Sequence, residues 1–326
     1  MTEPPNNDPE SPLLPNEPRV PGVAQQRALT ERFLLPRLVE IEALLRGIRG
    51  RLDAPLARAQ PRKANKPYPL GQGLDISLAV KQELTRLRQS DLTGPAGRDH
   101  AALVDFLSHG GQMRQVWGDL RGAYCQNAFL AGTLYIDVAN DSVFAKKPPV
   151  EILPFERSGL VAIRDCLHFG QLARRYWGGE LYPNHLFPQL GPWFPWISVV
   201  PGAGVQLEAG NDFMIALTRR DRFCSAQQVL EQAAPPQALA TAIAAQVAAA
   251  DCGFHSRGQE AALAQCAELR ATPPDDAQRD RMARQFLAIN RRLAAMANKV
   301  TVLSCAEVSR LNLAEPSVSP VPLWCK

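Results

Sequence analysis

The stretch TLYIDVAND, residues 133–141, decides how the chain is read. In an extended backbone Leu134, Ile136 and Val138 fall on one side, and Tyr135 and Asp137 on the other. That two-residue period marks a half-buried strand. VEILPF (150–155) reads as a second short strand, and WISVVPGAGVQLEA (196–209) as a hairpin turned by Pro201-Gly202. Between them RDCLHFGQLARRYWGG (164–179) has helical spacing and stops at a glycine pair. Outward in both directions the spacing is helical. The expected fold is therefore α+β and helix-rich, a small, mostly antiparallel central sheet flanked by helices from both ends of the chain.

Upstream, Leu34, Leu38, Ile41, Leu45, Ile48 and Leu52 repeat at alternating steps of four and three, one stripe of an α-helix. Four prolines between Ala54 and Gly73 suggest a linker or long loop. A second helix is expected over Leu74–Gln89. A third is expected to start near His100 and to carry Leu103, Phe106, Leu107, Met113, Trp117 and Leu120, with HGG at 109–111 as a weak point. Downstream, ALATAIAAQVAAA (238–250) reads as an alanine-rich helix. Asp275 with Gln278 is a capping signal, and Met282, Phe286, Ile289, Leu293, Met296, Val300 and Leu303 form the longest apolar stripe in the sequence. The seven prolines of residues 1–22 come with no hydrophobic period.

These shifts divide the chain into a disordered proline-rich tail (1–22), an N-terminal helical region (23–131), a small mixed sheet with a helix and an aromatic loop (132–220), and a C-terminal helical region (221–326). The parts 23–131 and 132–326 are expected to pack as one domain. The 34–52 and 282–303 stripes are candidates to pack on each other, to form a homodimer seam or to receive a protein partner.

The 326 residues are 46% hydrophobic and 21% charged, ordinary for a globular chain. A formal charge of +4 is small for this length and argues against a nucleic-acid binder; RKANK (62–66) and RRDR (219–222) read as solvated surface. The cysteines Cys125, Cys166, Cys224, Cys252, Cys266, Cys305 and Cys325 contain no C-x-x-C pair, which suggests reduced thiols in a cytoplasm. No signal peptide or membrane span is read, and the abundance of alanine and arginine suggests a bacterial origin.

Chemistry is sparse. Asp137 and Asp141, around Asn140 at a strand end, suit a divalent metal or acid–base work; equally, Asp and Asn there suit a turn, because their side chains bond nearby N–H groups. His168 lies among apolar neighbours on a helix, where a histidine is a core residue more often than a ligand. The loop YPNHLFPQLGPWFPWISVVPG (182–202) holds five prolines and two tryptophans. It is either rigid core or a pocket wall in which Trp193 and Trp196 shape a cavity and Tyr182, Asn184 and His185 face it. Two functions fit. The favoured one is a non-catalytic adaptor or accessory protein with helical interaction surfaces. The alternative is an enzyme, a transferase or hydrolase, using Asp137 and Asp141 with His185 or His168 on a small polar substrate.

Overall fold

A computed structural model describes residues 11–63, 66–89, 95–247 and 253–296. They form two compact units divided between Ala162 and Ile163. The fold is α+β and helix-rich, and its sheets are small and antiparallel. The central sheet expected over 132–220 is in fact two sheets, one in each unit.

In the N-terminal unit a helical run opens with α1 (Val23–Leu29) and ends with α2 (Leu38–Ala59). Between them lie one π turn, Thr30–Leu34, and one 3-10 turn, Leu35–Arg37. The cause is Pro36, which has no N–H to give the ladder and forces the neighbouring bonds to re-register. A two-residue ribbon of β1 (Arg62–Lys63) and β2 (Lys66–Pro67) follows, where a linker is expected. Helices α3 (Gly73–Gln89) and α4 (Pro95–Ser108) complete the helical layer.

The five-stranded sheet contains β3 (Met113–Leu120), β4 (Tyr124–Ala131), β5 (Leu134–Asp137) and β6 (Glu151–Pro154). After the short helix α5 (Phe155–Ser158), β7 (Leu160–Val161) completes it, in the order β6-β5-β4-β3-β7. Phe129, Leu134, Ile136 and Val138 face the helices and meet Leu34, Ile41, Leu45, Ile48, Ile76, Val80, Leu103 and Phe106. Val116, Leu120, Leu130, Tyr135 and Leu160 form a core on the other face. The helix expected to run on from His100 through Leu120 is corrected. It stops at Ser108, Gly110 turns at φ +92°, and a Cβ on Gly111 would stand 2.5 Å from the Phe106 ring. Met113, Trp117 and Leu120 belong to a strand.

Of the expected tail, residues 11–22 form an irregular strap without helix or strand, and residues 1–10 lie outside the described residues. The strap runs along the sheet and offers carbonyls, which proline retains. Asn16 O accepts from Trp117 N at 2.8 Å, and the Arg114 guanidinium donates to Glu17 O and Arg19 O at 3.1 and 2.6 Å. Val20 packs on the Val116–Leu130 core. Deleting residues 1–22 is expected to lower the melting temperature by several degrees, because hydrogen bonds to a charged donor are worth about 1.5–3 kcal/mol each. An unchanged melt would show that the strap contributes nothing.

The C-terminal unit begins with α6 (Cys166–Trp177), capped by Asp165, whose carboxylate accepts from His168 N at 2.6 Å, and ended by left-handed Gly178. Strands β8 (Glu180–Pro183), β9 (Trp196–Val200) and β10 (Gly204–Glu208) form an antiparallel sheet, with the expected hairpin between the last two. Then come α7 (Asp212–Arg220), α8 (Cys224–Leu230), α9 (Gln237–Val247), α10 (Gln259–Ala271) and α11 (Asp276–Leu293). The Asp275 cap forms, accepting from Gln278 N at 2.7 Å.

Met282, Ile289, Leu293 and Met296 lie in the core with Ile197, Val205, Leu207 and Ile243. Asn290 closes the edge of β10, accepting from Leu207 N at 2.7 Å and donating to Leu207 O at 3.0 Å. Both stripes considered for a dimer seam are thus consumed within their own units; Val300 and Leu303 lie outside the described residues.

Candidate functional site

The end of β5 is built around Asp137, which is fully buried. Its Oδ1 accepts from Ala139 N at 2.8 Å, the turn that aspartate favours two residues on. Its Oδ2 accepts from Gln126 Nε2 at 2.7 Å and from the Tyr135 hydroxyl at 3.0 Å. Burial pushes the carboxyl up to about 6 against the pull of these three donors. Glu151 on β6 adds to the rise, while Arg121, 3.0 Å from Glu151, offsets that charge. The same burial raises the Tyr135 phenol, with Asp137 beside it.

A native pKa near 6 against an ordinary value of 3.8 means that the folded state holds a proton the unfolded state has lost between those limits. The stability contributed by the protonated acid is complete below pH 4 and fades as pH rises through about 6, a span of about 3 kcal/mol. Urea unfolding at pH 4.5 and 7 is expected to show this slope, and Asp137→Asn to reduce it, leaving the part that comes from Glu208 and Asp221, which burial also raises. An unchanged slope in the variant would assign the titration elsewhere.

Asp141 has a different partner. Arg49, from α2, is 1% exposed and grips the Asp141 carboxylate with both terminal nitrogens, each at 3.0 Å. The same guanidinium donates to Val138 O and, through Nε, to Asp53 at 3.0 Å. Asp53 also accepts from the Tyr68 hydroxyl at 2.6 Å. Burial works against the Arg49 charge, yet Asp141 and then Asp53 hold its pKa above the ordinary value. Burial and Asp53 together raise Tyr68. Asn140 donates to Pro148 O at 3.0 Å, and its buried Oδ1 has no partner. Of this network the sequence pointed to Asn140 and Asp141; Arg49, Asp53 and Tyr68 offered no signal beyond the i,i+4 spacing of Arg49 and Asp53.

The remaining candidates belong to the C-terminal unit. His185 is 2% exposed; its Nε2 donates to Leu230 O at 2.7 Å and its Nδ1 is buried without a partner. Burial lowers its pKa, so the ring is neutral. Asn184 pins the loop, donating to Phe194 O at 2.9 Å and accepting from Phe187 N at 3.2 Å. Tyr182 is half-buried against the core. His168 accepts from Arg164 N through Nδ1 at 3.1 Å, inside the turn that starts α6.

Trp193 and Trp196 are each 1% exposed. Trp193 meets Phe223 edge-on at 5.1 Å. Trp196 donates to Cys166 O at 2.8 Å, under the Arg174 guanidinium. The 182–202 loop is therefore packed as core. The structure brings Asp137, Asn140 and Asp141 to one strand end and gathers His185, Asn184 and the tryptophans in the other unit.

Three further groups gave no sequence signal. Burial pushes Glu208 up to about 7 while it accepts from Ser198 at 2.8 Å. Burial also raises Asp221, which accepts from both Ser225 N–H and O–H. Cys166, beside Ser225 and Thr218, is pushed up to about 12, which makes it an inert thiol at neutral pH. Among the described residues no three His, Cys, Asp or Glu side chains are grouped to hold a metal ion.

The sequence matches no protein-family model, and no curated protein or solved structure matches it. Among the described residues no helix is long and apolar enough to cross a membrane.

Proposed function

We propose that the protein is a non-catalytic accessory factor whose outward helical faces bind a partner. The observation that carries this reading is the bidentate grip of buried Arg49 on Asp141. A carboxylate held that way, its charge balanced and each oxygen taken by a guanidinium nitrogen, supports structure rather than acid–base work or metal binding. The helices also leave large apolar side chains in solvent: Val39 is 78% and Leu287 51% exposed. An open groove along α3 is lined by Leu78, Lys81, Gln82, Thr85 and Arg86. Among the described residues Cys125, Cys166, Cys224 and Cys266 form no disulfide, which is compatible with a reducing cytoplasm.

The alternative is an acid–base enzyme acting at the same strand end. One observation favours it: Asp137, pushed up to about 6, stands three residues before Asn140, whose buried Oδ1 has no partner. A thermal-shift screen of divalent metals and polar metabolites separates the two. The accessory reading expects no stabilisation that depends on Asn140 or Asp141. A compound at 100 times its dissociation constant would add about 2.7 kcal/mol. Such a gain, lost in Asn140→Ala or Asp141→Asn, would establish the enzyme reading instead.

A further inference from the structure

We infer that the outward face of α11 binds the phosphate backbone of a double-stranded nucleic acid. From Arg281 to Met296 the sequence has four arginines, no lysine and no acidic residue. The inward face of the helix is fixed by Met282, Ile289 and Leu293, all buried. At 3.6 residues per turn, Arg281, Arg284, Arg291 and Arg292 fall within an arc of about 100° whose middle lies about 130° from the inward face, along about 16 Å of helix. All four are exposed, and none forms an ion pair with a described residue. The acids of α11 itself are already matched: Asp276 is paired with Arg219 at 2.9 Å, and Asp280, one turn before Arg284, with Arg279 at 2.8 Å.

A solvated helix face usually intersperses both signs of charge. Cations in the last turn also favour the helix dipole, which accounts for Arg291 and Arg292. It does not account for Arg281 and Arg284, which stand in the first half of the helix, where positive charge gains nothing from the dipole.

The chemistry of the stripe points to regularly spaced phosphates. Guanidinium forks take phosphate oxygens in bidentate fashion, and a rigid row of them matches a rigid row of anions. Between the arginines stand Gln285, Leu287 and Ala288, with no exposed aromatic on which an unpaired base would stack, so a duplex fits and a single strand does not. A lipid surface fits poorly, because the apolar face that would insert is buried in the core. The net charge of +4 is a sum over the whole chain and does not report a local row of one sign. The inference goes beyond the accessory reading and does not depend on it: an enzyme could carry the same stripe.

The test is fluorescence anisotropy with the full chain and a labelled 20-bp DNA duplex between 50 and 200 mM salt. Wild type is expected to bind, with log K falling linearly against log salt. The variant R281Q/R284Q/R291Q/R292Q is expected to bind at least tenfold more weakly at 50 mM salt, with a slope shallower by about 3.6, about 0.9 for each phosphate that is no longer neutralised. R281Q/R284Q, a milder change, is expected to lose about half of that slope, and it decides the matter if the fourfold variant melts early. R51Q/R58Q on α2 is expected to bind within twofold of wild type. No duplex binding at 50 mM salt would overturn the inference. So would unchanged binding in both α11 variants, or equal affinity for oligo-dT or polyglutamate.

Discussion

Trp196→Ala is expected to destabilise the C-terminal unit by about 3–5 kcal/mol, the cost of emptying a closed aromatic site. The indole is 1% exposed and lies against α6 so closely that a Cβ on Gly170 would stand 2.6 Å from Cζ2. The substitution also strips Cys166 O of its 2.8 Å donor and leaves the Arg174 guanidinium without the ring beneath it. Trp193→Ala, which removes the edge-on packing against Phe223, is expected to fall in the same range. Urea unfolding followed by far-UV circular dichroism checks both. A loss under 1 kcal/mol in either variant would mean that the loop is not packed as described. Gly170→Ala approaches the same packing from the other side: it forces a methyl group into the indole, for which overpacking of about 1–3 kcal/mol is expected.

Why some of this architecture was legible and some was not follows from where the signals lie. β5 could be read because its two faces differ: Leu134 and Ile136 meet the helices while Tyr135 meets the opposite core. The cap at Asp275 is local, closing over three residues. β3 misleads because Met113, Trp117 and Leu120 stand four and three apart, the helical interval, although the backbone is extended. β4 is covered on both faces at its end, Phe129 and Ala131 by the helices and Leu130 by the other core, so it shows no alternation to read. The prolines of the strap exclude helix as expected, but they leave every carbonyl free to accept from Trp117 and Arg114. Composition alone therefore does not distinguish a free tail from an extended strap. For the loop at 182–202, sequence could establish rigidity and apolar area but not which side of a wall the rings occupy.

The candidate site shows the same limit more sharply, and Arg49→Ala tests it. The partner of Asp141 comes from 92 residues away, beyond any local pattern. Arg49 stands next to Ile48 of the buried stripe, where an arginine would be expected to turn outward, yet it is 1% exposed. Its five donors explain this: two hold Asp141, others reach Asp53 and Val138 O, and no uncompensated charge is left inside. Removing the guanidinium leaves the Asp141 carboxylate and a buried carbonyl without donors, for which a loss of about 3–5 kcal/mol is expected. Asp141→Asn keeps one acceptor oxygen, so a smaller loss of about 1–2 kcal/mol is expected. Because the two residues share one interaction, the double variant is expected to fall short of the sum by more than about 1 kcal/mol. Arg49→Lys should recover little, since an ammonium cannot fork between Asp141 and Asp53. Chemical denaturation of the four proteins supplies the cycle. If Asp141→Asn leaves stability untouched and the cycle shows no coupling, the carboxylate is free for other work and the structural reading of this strand end fails.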